Sequence, residues 1–169
     1  MNNSIFIEKQ RFTQWWIWLI IISINLLLVF MIVNVISDAS KKSFELADAI
    51  GLGVIFFSLV LVNYLLTGTS LKTEINNEEI KIKFLPFIIK DKIIKWEDLS
   101  LCYVRQYSPI GEYGGWGYRF GIMGKGKAFN IKGNMGLQLQ FNDGKNLLIG
   151  TQKAEELKQF LKNINQYKE

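Results

Sequence analysis

The sequence predicts a membrane-anchored α+β protein. A hairpin of two transmembrane helices is followed by a mainly antiparallel β-domain that one C-terminal helix closes. Three observations carry this expectation. Two charge-free runs, residues 12–37 and 49–71, are 26 and 23 residues long. Beyond residue 70, continuous apolarity gives way to strict alternation, and the final stretch changes period once more, to steps of three and four.

At about 1.5 Å per helical residue, the two runs reach roughly 39 and 35 Å, against a hydrocarbon core of about 30 Å. A long helix in water carries a polar stripe, whereas "IWLIIISINLLLVFMIV" is apolar on every side. Ser37-Asp38-Ala39 offers small residues suited to signal-peptide cleavage, but the apolar core is too long and a second run follows, so an uncleaved anchor is expected. The expected organisation is a polar tail over residues 1–12, a hairpin over 13–67 with spans at about 13–36 and 49–67, and a β-domain over 70–169. Trp15, Trp16 and Trp18 at the start of the first span have the amphipathic character of interface anchors. Folded around residues 42 and 43, the hairpin brings Asn25 and Ser58 to one depth, where an intramembrane polar contact between them would spare the amide from lipid. Lys9, Arg11, Lys72, Lys81 and Lys83 flank the spans on one side, against Lys41 and Lys42 in the connecting loop. The positive-inside rule then places both termini and the domain in the cytoplasm, at the inner (cytoplasmic) membrane.

In "EIKIKF", Ile80, Ile82 and Phe84 alternate with lysines, the pattern of a half-buried strand. Further strands are expected over residues 71–75, 88–96, 99–107, 116–122, 128–131, 137–141 and 146–150, separated by turn residues such as Asn76-Asn77 and Asp143-Gly144. Ala154, Leu157, Phe160, Leu161 and Ile164 then share one helical face over about 152–167, with Thr151 as the expected N-cap.

Composition argues against common catalysis. The chain has no histidine and a single cysteine, Cys102, which removes the usual triads, thiolate clusters and most transition-metal sites. The adjacent carboxylates Glu78-Glu79 and Glu97-Asp98 would point to opposite faces of a strand. No enzyme activity, catalytic residue, metal or cofactor is expected. Glycine-rich "EYGGWGYRFG" has neither the spacing nor the following helix of a nucleotide loop. The net charge of +5 is interleaved with acids, so no nucleic-acid stripe forms. Two readings remain for that stretch: a glycine-released bend covered by aromatics, or a partner-binding patch of Tyr113, Trp116 and Arg119. Lys81, Lys83, Lys125 and Lys127 are candidate contacts to an anionic lipid surface.

Four motifs, "EKQRFTQWW", "IIKWEDL", "YGGWGYRF" and "GLQLQFNDGKNLLIGTQKAEEL", together with the element order, resemble the bacterial pleckstrin-homology-like (bacterial PH) membrane proteins, a family largely of unknown function. The resemblance implies a PH-like, partly open barrel of two sheets capped by the C-terminal helix. Members of the wider superfold bind phosphoinositides, peptides or other proteins, so the fold alone chooses none; the expected function is a binding or scaffolding module that engages another membrane protein or a second copy of itself, with an anionic-lipid surface sensor as the other reading. A small-molecule transporter or an enzyme fits the charge-free spans and missing histidines least. The acidic turn in "TEINNEEIKIKF" argues against inositol-phosphate recognition.

Overall fold

The computed structural model describes residues 5–41, 45–121 and 124–169. It divides into two compact units: residues 12–69, and a second unit made of the segment ending at Arg11 together with Ser70–Glu169. Lys42 and Ile122 lie outside the described residues.

The first unit is a pair of helices, α1 (Trp15–Lys41) and α2 (Leu46–Gly68). Both are long and apolar enough to cross a membrane. Trp15, Trp16 and Trp18 are exposed at the start of α1, as is Tyr64 near the end of α2. The Asn25 amide does pack against the other helix, but its partner is not Ser58. Its Nδ2 donates to Asn63 Oδ1 (3.3 Å), and Asn63 Nδ2 donates back to Asn25 Oδ1 (2.9 Å). Ser58 instead donates to its own helix, at Val54 O. Residues 25 and 63 are centred on 44, one and a half residues beyond the fold point assumed from sequence, and that offset selects Asn63. Exchanging Asn25 for Leu takes the donor from Asn63 Oδ1 and leaves Asn63 Nδ2 only its bond to Leu59 O. It is expected to weaken the hairpin by about 0.5–2 kcal/mol, with part of the loss recovered in Asn25→Leu/Asn63→Leu. Detergent titration followed by tryptophan fluorescence measures both.

In the second unit, strand β1 (Phe6–Arg11) belongs to the segment expected to be a polar tail. It pairs antiparallel with β2 (Ser70–Ile75), from Phe6 opposite Ile75 to Arg11 opposite Ser70. β3 (Glu79–Leu85) and β4 (Ile88–Lys95) complete a four-stranded sheet in the order β1-β2-β3-β4. A second sheet contains β5 (Leu99–Gln106), β6 (Gly117–Phe120), β7 (Lys127–Asn130), β8 (Met135–Phe141) and β9 (Asn146–Gly150). Its order is β5-β8-β9-β7-β6, and β7 runs parallel to β9. No strand pairing joins the two sheets among the described residues, so the barrel expected from the resemblance is not closed.

The core lies between the sheets. Ile80, Ile82 and Phe84 of β3 and Phe129, Leu137 and Leu139 of the second sheet are buried, and the Phe84 and Phe129 rings stack at 5.9 Å between centroids. Helix α4 (Ala154–Asn163) adds buried Leu157 and Leu161. It is shorter than expected, and Thr151 is not its N-cap, a position held by Lys153. Thr151 Oγ1 and the backbone N–H of Gln152 instead donate to the buried Glu8 carboxylate at 2.6 and 2.7 Å. After α4 the chain returns to pair Lys168 with Cys102 on the edge of β5.

Candidate functional site

The stretch from Glu112 to Gly121 is built mostly as architecture. Ser108 starts a single helical turn, α3 (Pro109–Tyr113), its Oγ accepting from the Gly111 N–H, and Gly114 ends it in the left-handed region at φ 67°. Only glycine takes that backbone without penalty, which explains one glycine of the run. Tyr113 is buried and meets Tyr107 edge-to-face at 5.9 Å, over Ala128 and Leu148. The buried Asn130 side chain accepts from Gly117 N–H (2.8 Å) and donates to the Tyr107 hydroxyl (3.0 Å). The half-buried Trp116 donates its indole N–H to Gly133 O (3.0 Å), and Arg119 Nε donates to Trp116 O (2.9 Å). The expected patch of Tyr113, Trp116 and Arg119 is therefore not assembled: Tyr113 points into the core, and only Arg119 is exposed.

Glu112 is the polar clasp of this turn. Arg105 binds it through two nitrogens, at 2.7 and 3.1 Å, and the Ser108 N–H donates to it at 2.8 Å. The Arg105 guanidinium holds the Glu112 carboxyl below its ordinary value of 4.5, helped by the Ser108 N–H and by Lys125. A carboxyl with a depressed folded pKa stabilises the fold fully above its unfolded value, and that contribution fades as pH falls through the folded value. Thermal midpoints of the native chain and of Glu112→Gln are thus expected to differ near neutrality and to converge below pH 4.5.

The four candidate lipid-contact lysines do not share one surface. Lys81 and Lys83 lie on β3, and Lys81 pairs with Glu79 at 2.9 Å. Lys125 approaches Glu112 at 3.9 Å. Lys127 instead belongs to a groove that sequence reasoning missed.

This groove, about 680 Å³, opens between β4, the start of β7 and the β8–β9 turn. Ile94, Phe120, Phe141 and Leu147 give it apolar walls, with Lys92 and Lys127 among them. The Lys92 ammonium sits 5.8 Å over the Phe129 ring, and Lys127 sits 5.4 Å over Phe120. Burial, and then the like charge of Lys127, push the Lys92 pKa down. Neither ammonium has a carboxylate within ion-pair distance among the described residues. Of the two carboxylates lining the groove, Asp143 is taken by Lys145 at 2.6 Å, and Asp98 is the other. The lining thus offers three lysines against two acids. No sequence signal joins Lys92 to Lys127, because the strands that carry them lie in different sheets. The single cysteine, Cys102, is fully buried with its thiol pushed up to about 12, so it offers no nucleophile at this site. Among the described residues, no group of three or more acidic or cysteine side chains could hold a metal.

What the arrangement can do chemically is hold an apolar chain that carries an anion: dispersion contacts along the walls, with one half-buried cation, Lys92, and one exposed cation, Lys127, for a negative group. Compared with known proteins, the chain matches no family model and no curated sequence.

Proposed function

We propose that the protein is a membrane-tethered binding module of pleckstrin-homology-like character on the cytoplasmic face, whose groove takes an apolar, carboxylate-bearing segment of a membrane-protein partner. The observation that carries this is Lys92, a half-buried cation beside a second lysine in a largely apolar groove, with no acidic partner of its own. Lys92 is drawn partly out of water beside the like charge of the exposed Lys127, and a carboxylate between them would offset both effects on Lys92. Cytoplasmic placement is supported by the basic residues flanking the helices, Lys9, Arg11, Lys72, Lys81 and Lys83. It is further supported by the pairing of β1 with β2, which ties both flanks to one sheet and so to one side of a bilayer.

A photo-crosslinking residue in place of Phe120, introduced into the full chain in native membranes, tests the reading. One defined membrane-protein adduct is expected, lost when Lys92→Glu and Lys127→Glu are combined. An adduct indifferent to that charge reversal, or no adduct at all, overturns the proposal.

A further inference from the structure

One end of the four-stranded sheet is set apart by chain connectivity. Arg11, Ser70 and Leu85 stand side by side in register on β1, β2 and β3. From Arg11 the chain needs four residues to enter α1 at Trp15, and Ser70 follows directly on Thr69, the residue that ends α2. β3 runs toward this end and continues past Leu85 into Pro86 and Phe87 before β4 begins at Ile88. At about 3.3 Å per strand residue, the turn extends roughly 3–7 Å beyond Ser70.

That turn is apolar where a solvent-facing turn is normally polar. Phe87 is 57% exposed and Ile89 is 69% exposed. Behind them, on the outer face, Lys9, Lys72 and Lys83 stand directly opposite one another on three adjacent strands. Like charges in facing cross-strand positions destabilise a sheet. Lys72 is paired with Glu74, and Asp91 lies in the same shallow depression as Lys83, but Lys9 and Lys83 have no ion pair among the described residues. An apolar tip, a lysine row and two chain exits into long apolar helices thus coincide at one end of one sheet.

We propose that this end of the sheet is a bilayer-contact surface. Phe87 and Ile89 enter the interfacial layer, and Lys9, Lys72 and Lys83 meet anionic lipid head groups. The occupant is argued from continuity: β2, next to β3, and β1, beyond it in the same sheet, are the strands whose chain runs on into α2 and α1. The lysine row supplies the charge complement to an anionic leaflet. The proposal concerns a different face from the groove. It rests on reading α1 and α2 as spans.

Full-length protein reconstituted into nanodiscs tests it, because both leaflets stay open to solvent. Cys102 is fully buried with its thiol pushed up to about 12, so a single added cysteine takes the fluorophore. Phe87→Cys and Ile89→Cys report on the tip, and Asn77→Cys reports on the opposite end of the sheet. In discs containing phosphatidylglycerol, a neutral aqueous quencher is expected to act about fivefold less on labels at 87 and 89 than at 77. That protection is expected to fall severalfold in phosphatidylcholine discs and in Lys9→Gln/Lys72→Gln/Lys83→Gln. Equal quenching at both ends overturns the contact, and protection independent of lipid charge and of the lysines overturns the head-group role. Failure of the protein to enter nanodiscs refutes the spans themselves, a result distinct from either.

Discussion

Deleting residues 1–11 is expected to abolish folding of the β-domain, although both long helices separate that segment from the rest of the domain in sequence. β1 buries Phe6, which packs on Phe160 of α4 at 5.9 Å between ring centroids. Burying such a side chain contributes about 1.5–3 kcal/mol. The Glu8 carboxylate accepts from Thr151 and Gln152, and hydrogen bonds to a charged group contribute about 1.5–3 kcal/mol. Gln10 Nε2 adds a bond to Gly150 O at 2.7 Å, and six paired residues leave β2 with the strand. Together these approach the whole stability of an ordinary domain, about 5–15 kcal/mol. The converse experiment is sharper. Arg11 and Ser70 are register partners, so an Asn-Gly turn replacing residues 12–69 should join them as a tight hairpin and give a soluble, folded domain. Dispersed amide resonances are expected for that chain, and collapse or aggregation for residues 70–169 alone.

Gly126→Ala is expected to cost on the order of 3 kcal/mol, combining left-handed backbone strain with overpacking. Gly126 has φ +80°, and a Cβ there would run into the backbone of Asn146, 2.7 Å from its carbonyl carbon. No side-chain rotation relieves a clash with backbone, so β7 must move away from β9 and widen the groove. Gly144 provides the control: its φ is +81°, and nothing lies within 4 Å of where its Cβ would be. Gly144→Ala should therefore lose only the strain, about 1–2 kcal/mol. Denaturant unfolding of the joined domain separates the two effects, and crosslinking through Phe120 should weaken only in Gly126→Ala.

The strands of the domain were legible because their inward positions are apolar and their breaks are Asn, Asp and Gly: β3, β8 and β9 lie within two residues of where alternation puts them. β1 was not, for a physical reason. Its inward face is Phe6, Glu8 and Gln10, while the apolar Ile5 and Ile7 face outward, so the alternation carries the wrong sign. The buried polar pair becomes intelligible only once Gly150 and Thr151, some 140 residues away, supply the partners. α3 is a single turn, too short for any period to register. Asn63 was missed because a fold point in error by one and a half residues moves the position level with Asn25 from 60 to 63, and Ser58 was the polar residue nearest the former. The groove lay beyond reach altogether, since the sheet order β5-β8-β9-β7-β6 that brings Lys127 toward Lys92 depends on a parallel pairing of β7 with β9.

The β1–β2 pairing also bears on how the chain is made. β1 leaves the ribosome before β2 and must wait for it while residues 12–69 are synthesised, about 3–12 s at roughly 5–20 residues per second. With the helices read as spans, a chain that has threaded only one of them holds β1 and β2 on opposite sides of the bilayer, where they cannot meet. Such a chain leaves the β2 edge without β1 and Phe160 of α4 without Phe6. On that reading of the helices, β1 can pair with β2 only in a chain that has crossed the bilayer twice.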